Sequence, residues 1–331
     1  MNNTIKTTAV LLTFCTIILA GSYSGGSGTE ADPYIISTAA DLQEIGASIT
    51  DWDEYFLMIN DVNMSGYTGN QFNIIGSSAT PFQGSFDGGG YIIRNFTYEA
   101  DNTESCTGIF GYIDSNSTEI KNVNLINAVV DSNNSMDIVG TLASYIVNAS
   151  VSSCTVTGGS ASGGMVCGGL IGYIQSADIT DCSSKTTVNN TQNGGGLIGT
   201  AHQSVITGCS SAMQINASNY AGGLIGDLRD YSTINNCSSS TSVNDGMYTG
   251  GLCGSITFSS VTDSYASGNI ITNASSGGFA GLCDDGTEII RCYAHGSVSG
   301  NSGQGGFIAK QDGTVSLSQC YSSGRVSNDT G

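Results

Sequence analysis

A five-residue phrase, Gly-Gly-Leu-Ile-Gly, recurs through the second half of the chain and dictates what the chain can fold into. It begins at Gly168, Gly195, Gly222, Gly250, Gly277 and Gly305, in steps of 27, 27, 28, 27 and 28 residues. Weaker copies stand at residues 107–111 and 139–142, so the repeat covers residues 72–331. A fixed period of this length is the signature of a solenoid, in which each repeat is one unit stacked on the next.

Other columns keep the same phase. Cys154, Cys182, Cys209, Cys237, Cys292 and Cys320 align, with Ser264 in the one gap. Three residues before this column stand Val151, Ile179, Ile206, Ile234, Val261, Ile289 and Leu317, and six after it Val188, Ile215, Val243, Ile270, Val298 and Val326. Short β-branched patches separated by Gly, Ser, Asn and Asp turns suit three strands per repeat and no helix. One repeat cannot bury these side chains alone, but stacked coils pair as parallel strands and pile like residues inside. The spacing therefore predicts an all-β chain, a right-handed parallel β-helix of about eight or nine coils. The recurring glycines are expected at tight corners that need positive φ or close backbone approach.

Ahead of the repeat, residues 23–71 read as an N-terminal cap. Thr38 and Asp41 form a capping-box start to a short helix with Leu42, Ile45 and Ile49 on one face, able to cover the open end of a stack. Residues 1–22 read as a secretory leader: Lys6, an apolar run over 9–20, then Gly21 and Ser22. No later stretch is long or apolar enough for a membrane helix. The expectation is a secreted or cell-surface protein. No counterpart of the N-terminal cap is read in the last coil, so the expectation is either that the sequence is truncated or that this end pairs with a partner, as in end-to-end association through the C-terminus.

At the level of these residues the chain resembles GLUG-motif proteins, bacterial and archaeal adhesin-like surface proteins with right-handed β-helices. The phrase carries the resemblance, with Cys253 in place of Ile, Phe279 and Phe307 in place of Leu, and Ala309 in place of the final Gly. Residues 28–42 and 82–93 look like the entry to such a helix. The resemblance implies the fold and a surface role; the motif marks a stacking unit and brings no catalytic residues.

Eight Lys and Arg against 27 Asp and Glu give a net charge of −19, which repels phosphate backbones and excludes nucleic acid as a partner. Of the eleven cysteines, Cys15 lies in the leader. The aligned six are expected to form a buried thiol ladder, because side chains stacked at about 4.8 Å stand too far apart for a relaxed disulfide. Cys106, Cys167, Cys253 and Cys283, off the column, are the better candidates for bridges. His202 and His295 are expected to face solvent, with no zinc cluster and no nucleophile–base–carboxylate set. Asp284, Asp285 and Glu288 are a weak calcium candidate; no cofactor is expected.

One outward column changes character: after Ser183, Ser210 and Ser238 come Tyr265, Tyr293 and Tyr321. Three stacked tyrosines can pack on sugar rings or on another protein. The sequence therefore points to a non-catalytic, adhesin-like module that binds host or environmental glycans or surface proteins through a stiff repetitive surface. The alternatives are a polysaccharide lyase or hydrolase, which requires carboxylates gathered in a groove, and a structural spacer or surface-layer component.

Overall fold

The computed structural model describes residues 21–101, 106–301 and 303–328. Most of the expected leader lies outside these residues. The chain is a parallel β-solenoid of about ten turns built from three sheets. One sheet stacks eleven strands, from Tyr34–Ile36 and Tyr55–Met58 to Val315–Ser318. A second holds eight, from Phe110–Asp114 to Ile308–Gln311. The third carries long segments such as Ser183–Gly195, running from the cysteine column to the glycine phrase. The turn count exceeds the expected eight or nine because Tyr34–Ile36 and Tyr55–Met58, ahead of residue 72, pair in the same sheet.

The period is realised as in-register pairing. Val151 pairs with Ile179, Ile179 with Ile206, Ile206 with Ile234 and Ile234 with Val261. Leu170, Leu197, Leu224 and Leu252 from the phrase are fully buried with them. In the early coils the core is aromatic instead, with Phe82 and Phe110 at 5.2 Å and Phe72 and Phe96 at 5.1 Å.

The phrase glycines are needed for close approach, and left-handed backbone is handled elsewhere. A Cβ on Gly222 would lie 1.7 Å from the Ile225 carbonyl oxygen, and one on Gly223 2.0 Å from that of Gly251 in the next coil. The left-handed corners fall to polar residues such as Asn148, Ser176, Asp181, Asn236 and Asp263, which tolerate that region best among non-glycines.

The helix spans Ala39–Ala47, capped by the Thr38–Asp41 box, and buries Leu42 and Ile45. Ile49 is 56% exposed instead of joining them. The helix ends at Ala47, and the single turn that follows, Ile49–Asp51, rotates Ile49 off the apolar face.

The cysteine column follows a left-handed corner in successive coils, behind Ser153, Asp181, Asn236 and Arg291 among others. There the thiol bonds both ways. Cys209 Sγ accepts from the Cys182 N–H at 3.4 Å and Cys237 Sγ from the Cys209 N–H at 3.3 Å. Each thiol also donates to the carbonyl two residues back, as Cys209 does to Thr207 at 3.3 Å. Ser264 fills the gap with the same pattern, accepting from the Cys237 N–H at 3.0 Å and donating to Thr262 at 2.7 Å. Off the column, Cys167, Cys253 and Cys283 are buried, unbridged thiols.

Two outcomes are expected. Cys209→Ala strands the buried Cys182 N–H and should lose about 1–3 kcal/mol in urea unfolding, whereas Cys209→Ser keeps the bond and should lose clearly less. Burial pushes the thiols of Cys283 and Cys292 up to about 12, and contact with the Cys182 thiol together with burial does the same for Cys209, against the Cys182 N–H. Above about pH 9 the unfolded thiols ionise while the folded ones hold their protons. Stability should therefore be complete below pH 9 and fall towards pH 12, by about 1.4 kcal/mol per pH unit for each such thiol, as followed by denaturant titrations across that range.

Candidate functional site

Stacking carries the outward column Ser183, Ser210, Ser238, Tyr265, Tyr293 and Tyr321 into one line along a sheet. Tyr265 and Tyr293 stack at 5.0 Å with planes 4° apart, and Tyr293 and Tyr321 at 5.4 Å and 14°. His295, exposed as expected, packs its ring 4.9 Å from Tyr293. Because the rings stack face to face, the middle one spends both faces on its neighbours. What the strip offers outward is ring edges and hydroxyls, together with the outer faces of its two end rings, that of Tyr265 turned towards Ser238.

That face closes a trough of about 270 Å³ lined by Ser183, Ser210, Ser238, Ser240 and Lys185. The trough exists because three successive coils put serine where the next three put tyrosine. It combines hydroxyl donors and acceptors, one cation and one aromatic wall.

A larger, open trough of about 530 Å³ crosses the ends of the same sheet and is lined by Asp131, Asn133, Gln192, Asn216 and Asp245 among others. Its two carboxylates are not a catalytic pair. Asp131 aligns through Ser162 and Asn189, and the pairing continues through Ile215 to Val243. Asp245 therefore stands four coils away, about 19 Å at 4.8 Å per coil, where glycoside hydrolysis needs about 5–10 Å.

The expected calcium candidate is not assembled. Asp284 Oδ1 accepts from the Asp285 N–H and Asp285 Oδ1 from the Thr314 N–H, both at 2.7 Å. Glu288 lines a separate hollow. Among the described residues no three His, Cys, Asp or Glu side chains are grouped to hold a metal ion.

His202 departs from expectation. It is half-buried, with Nδ1 2.8 Å from Asp230 Oδ2 and its ring 5.1 Å from Tyr173. Burial and the neighbouring Arg229 hold its imidazole below the usual range, against the pull of Asp230. Ser204 turns its hydroxyl to the His202 carbonyl at 2.6 Å rather than to the ring, so the His–Asp pair lacks a nucleophile there. Tyr173 continues a second ladder through Tyr145 and Tyr112 at 4.3 and 4.7 Å. Applying the period to Tyr112, Tyr145 and Tyr173, each just after the phrase position, would have found this ladder. Beside it, Asp227 is 1% exposed and ion-paired to the more open Arg229.

These outward columns, set on a core of stacked aliphatic residues and closed by the Gly-Gly corner, define a repeat β-solenoid with ladder-built surfaces. Residues 245–271, which include the phrase at Gly250, match the GLUG motif family, so the chain carries the GLUG motif. It is 32% identical over 172 residues to Halomucin of Haloquadratum walsbyi, covering 50% of this chain and 2% of that protein. It is 28% identical over 123 residues to a Gly-rich membrane protein of Evansella cellulosilytica, covering 36% of this chain and 14% of the relative. The chain thus spans a small part of the relatives it matches. In fold it is similar to a crystal structure described as an immunoglobulin A1 protease of Bacteroides ovatus, with a TM-score of 0.55 and 18% identity over 91% of this chain and 87% of that one.

The buried ion pair sets a further expectation. Arg229→Ala leaves the Asp227 carboxylate buried without its partner and should lose about 3–5 kcal/mol in urea unfolding. Asp227 pairs in register with Ser255, so adding Asp227→Ser to Arg229→Ala should recover most of that loss.

Proposed function

We propose that the chain is a non-catalytic binding module of a secreted or cell-surface protein, and that it holds a glycan in the serine trough against Tyr265. The observation that carries this reading is the trough itself: a row of hydroxyls ending on a free aromatic face. Sugars are bound by that pairing of hydrogen-bonding groups with an apolar ring. The names of the two relatives, a halomucin and a membrane protein, support placement at a cell surface. The separation of Asp131 from Asp245 supports binding over cleavage. Coils repeat the hydroxyl row, so weak contacts add along a polymeric ligand.

The test is to incubate purified protein with a panel of polysaccharides, measuring both retention and released chain ends. Retention on one polymer without release is expected. Replacing Tyr265, Tyr293 and Tyr321 by Ser, the residue native to this column in earlier coils, should leave the fold intact and abolish retention. Retention unchanged by the triple replacement removes the strip from the site, and release of chain ends overturns the non-catalytic reading.

A further inference from the structure

After register shifts inside the long strands, between Thr157 and Ser160 and at Thr191, the repeat changes length at one corner. His202 pairs with Arg229 at an offset of 27, whereas Val205 pairs with Thr233 at 28. The added residue lies between Arg229 and Ser232, at Asp230 and Tyr231. The next coil reverts: Leu228 pairs with Ile256 at 28, and Thr233 with Ser260 at 27. The coil after that lengthens again, since Ile256 pairs with Cys283 at 27 and Ser260 with Glu288 at 28. Each alternation between 27 and 28 from His202 onward thus falls at this corner. In stacked-repeat proteins, length variation collects on one face, often the binding face.

Two of the residues placed there, Tyr231 and Phe258, do not suit the backbone they occupy. Asp230, Tyr231 and Phe258 all have left-handed φ, at 58°, 66° and 45°. Asn148, Ser176 and Gln203 fill the corner in the preceding coils, and Asn is the non-glycine residue that accepts this region most readily. A bulky aromatic residue there is an outlier, and such strain gathers where a side chain is held for use. Neither ring is placed to build the core: Tyr231 is 78% exposed and Phe258 43%. The two rings stand 6.3 Å apart and tilted by 39°, so their faces are not spent on each other as in the tyrosine strip. Phe258 lies over Gly286 of the next coil, where a Cβ would come within 2.5 Å of its ring. Beneath the rings is a hollow of about 280 Å³ lined also by Thr233, Ser260 and Glu288.

We propose that Tyr231, Phe258 and Glu288 form a second saccharide site, separate from the serine trough, for a neutral β-linked hexopyranose chain. The rings take the apolar C–H face of a sugar unit. The Glu288 carboxylate and the Thr233 and Ser260 hydroxyls bond its hydroxyl groups. The carboxylates of Asp230, Asp284, Asp285 and Glu288 around this corner, on a chain of net charge −19, exclude uronate and sulfated sugars. The site shares only its ligand class with the preceding reading.

Calorimetric titration with cellohexaose tests it, using the whole chain and the variants Tyr231→Asn, Phe258→Asn and Tyr265→Ser. Because Asn suits the corner, the first two should melt at the same temperature as the parent or higher, yet bind cellohexaose at least tenfold more weakly at one of two sites. Tyr265→Ser should leave that site at parental affinity, so loss at the trough and loss at the corner are read separately. Parental affinity in both Asn variants overturns the proposal, as does no binding of cellohexaose by the parent. Sedimentation that finds parent dimers abolished by Tyr231→Asn also overturns it, since the rings would then cover a second copy. A fall in melting temperature in both Asn variants would assign the rings a structural role instead.

Discussion

Everything in this molecule follows from the parallel pairing of one coil with the next. Backbone hydrogen bonds fix coils at about 4.8 Å, and register places each residue over its counterpart. Any property of one position is therefore multiplied into a ladder. An inward Ile becomes an apolar column, an outward Tyr a stack of rings, a corner Cys a chain of thiols. The same constraint explains the glycines. Adjacent coils bring a carbonyl within 2.0 Å of where a Gly223 Cβ would sit, so the phrase is conserved along the chain by contact between coils.

Pairing also decides how an acidic chain with few cations manages its charge. Arg94 meets Asp61 and Arg291 meets Asp263, each from a different coil. Arg291 and Asp263 both stand at left-handed corners, where stacking brings them together. Such exposed pairs add little stability. The exception is Asp227, buried between Thr200 and Ser255 in its column. There a single Arg offsets the desolvation of the carboxylate, and the balance depends on both partners remaining.

The period made most of the fold legible. Once the phrase is aligned, the Ile and Val columns, the cysteine ladder and the tyrosine strip follow by arithmetic, and Thr38 with Asp41 marks the helix start by local chemistry alone. What escaped has physical causes. Strands Tyr34–Ile36 and Tyr55–Met58 lack the phrase, so nothing in the sequence shows that they continue the stack. Ile49 fits a helical stripe, but the helix stops two residues before it. The pairing of His202 with Asp230 spans one period plus the inserted residue, and is visible only when the insertion is placed at the corner. The orientation of the tyrosine rings, which closes both faces of Tyr293 and leaves only the outer faces of the end rings, depends on side-chain packing that periodicity does not encode.

A stack of this kind restricts where recognition can be built. An inward change disturbs a column shared by neighbouring coils, and a change in a sheet's length breaks register along the rod. Outward columns, and the corner that absorbs an extra residue from His202 onward, are the freest to vary. Two aromatic features with an uncommitted ring face sit in those places: Tyr265 where an outward column switches from Ser, and Tyr231 where the corner lengthens. Tyr265 is mounted on a strand and Tyr231 on a short corner between two strands, each held from either side, so little freedom remains to be lost on binding. In a solenoid, rigidity and tolerance are thus divided by position, and aromatic residues at the tolerant positions are those the fold itself does not require.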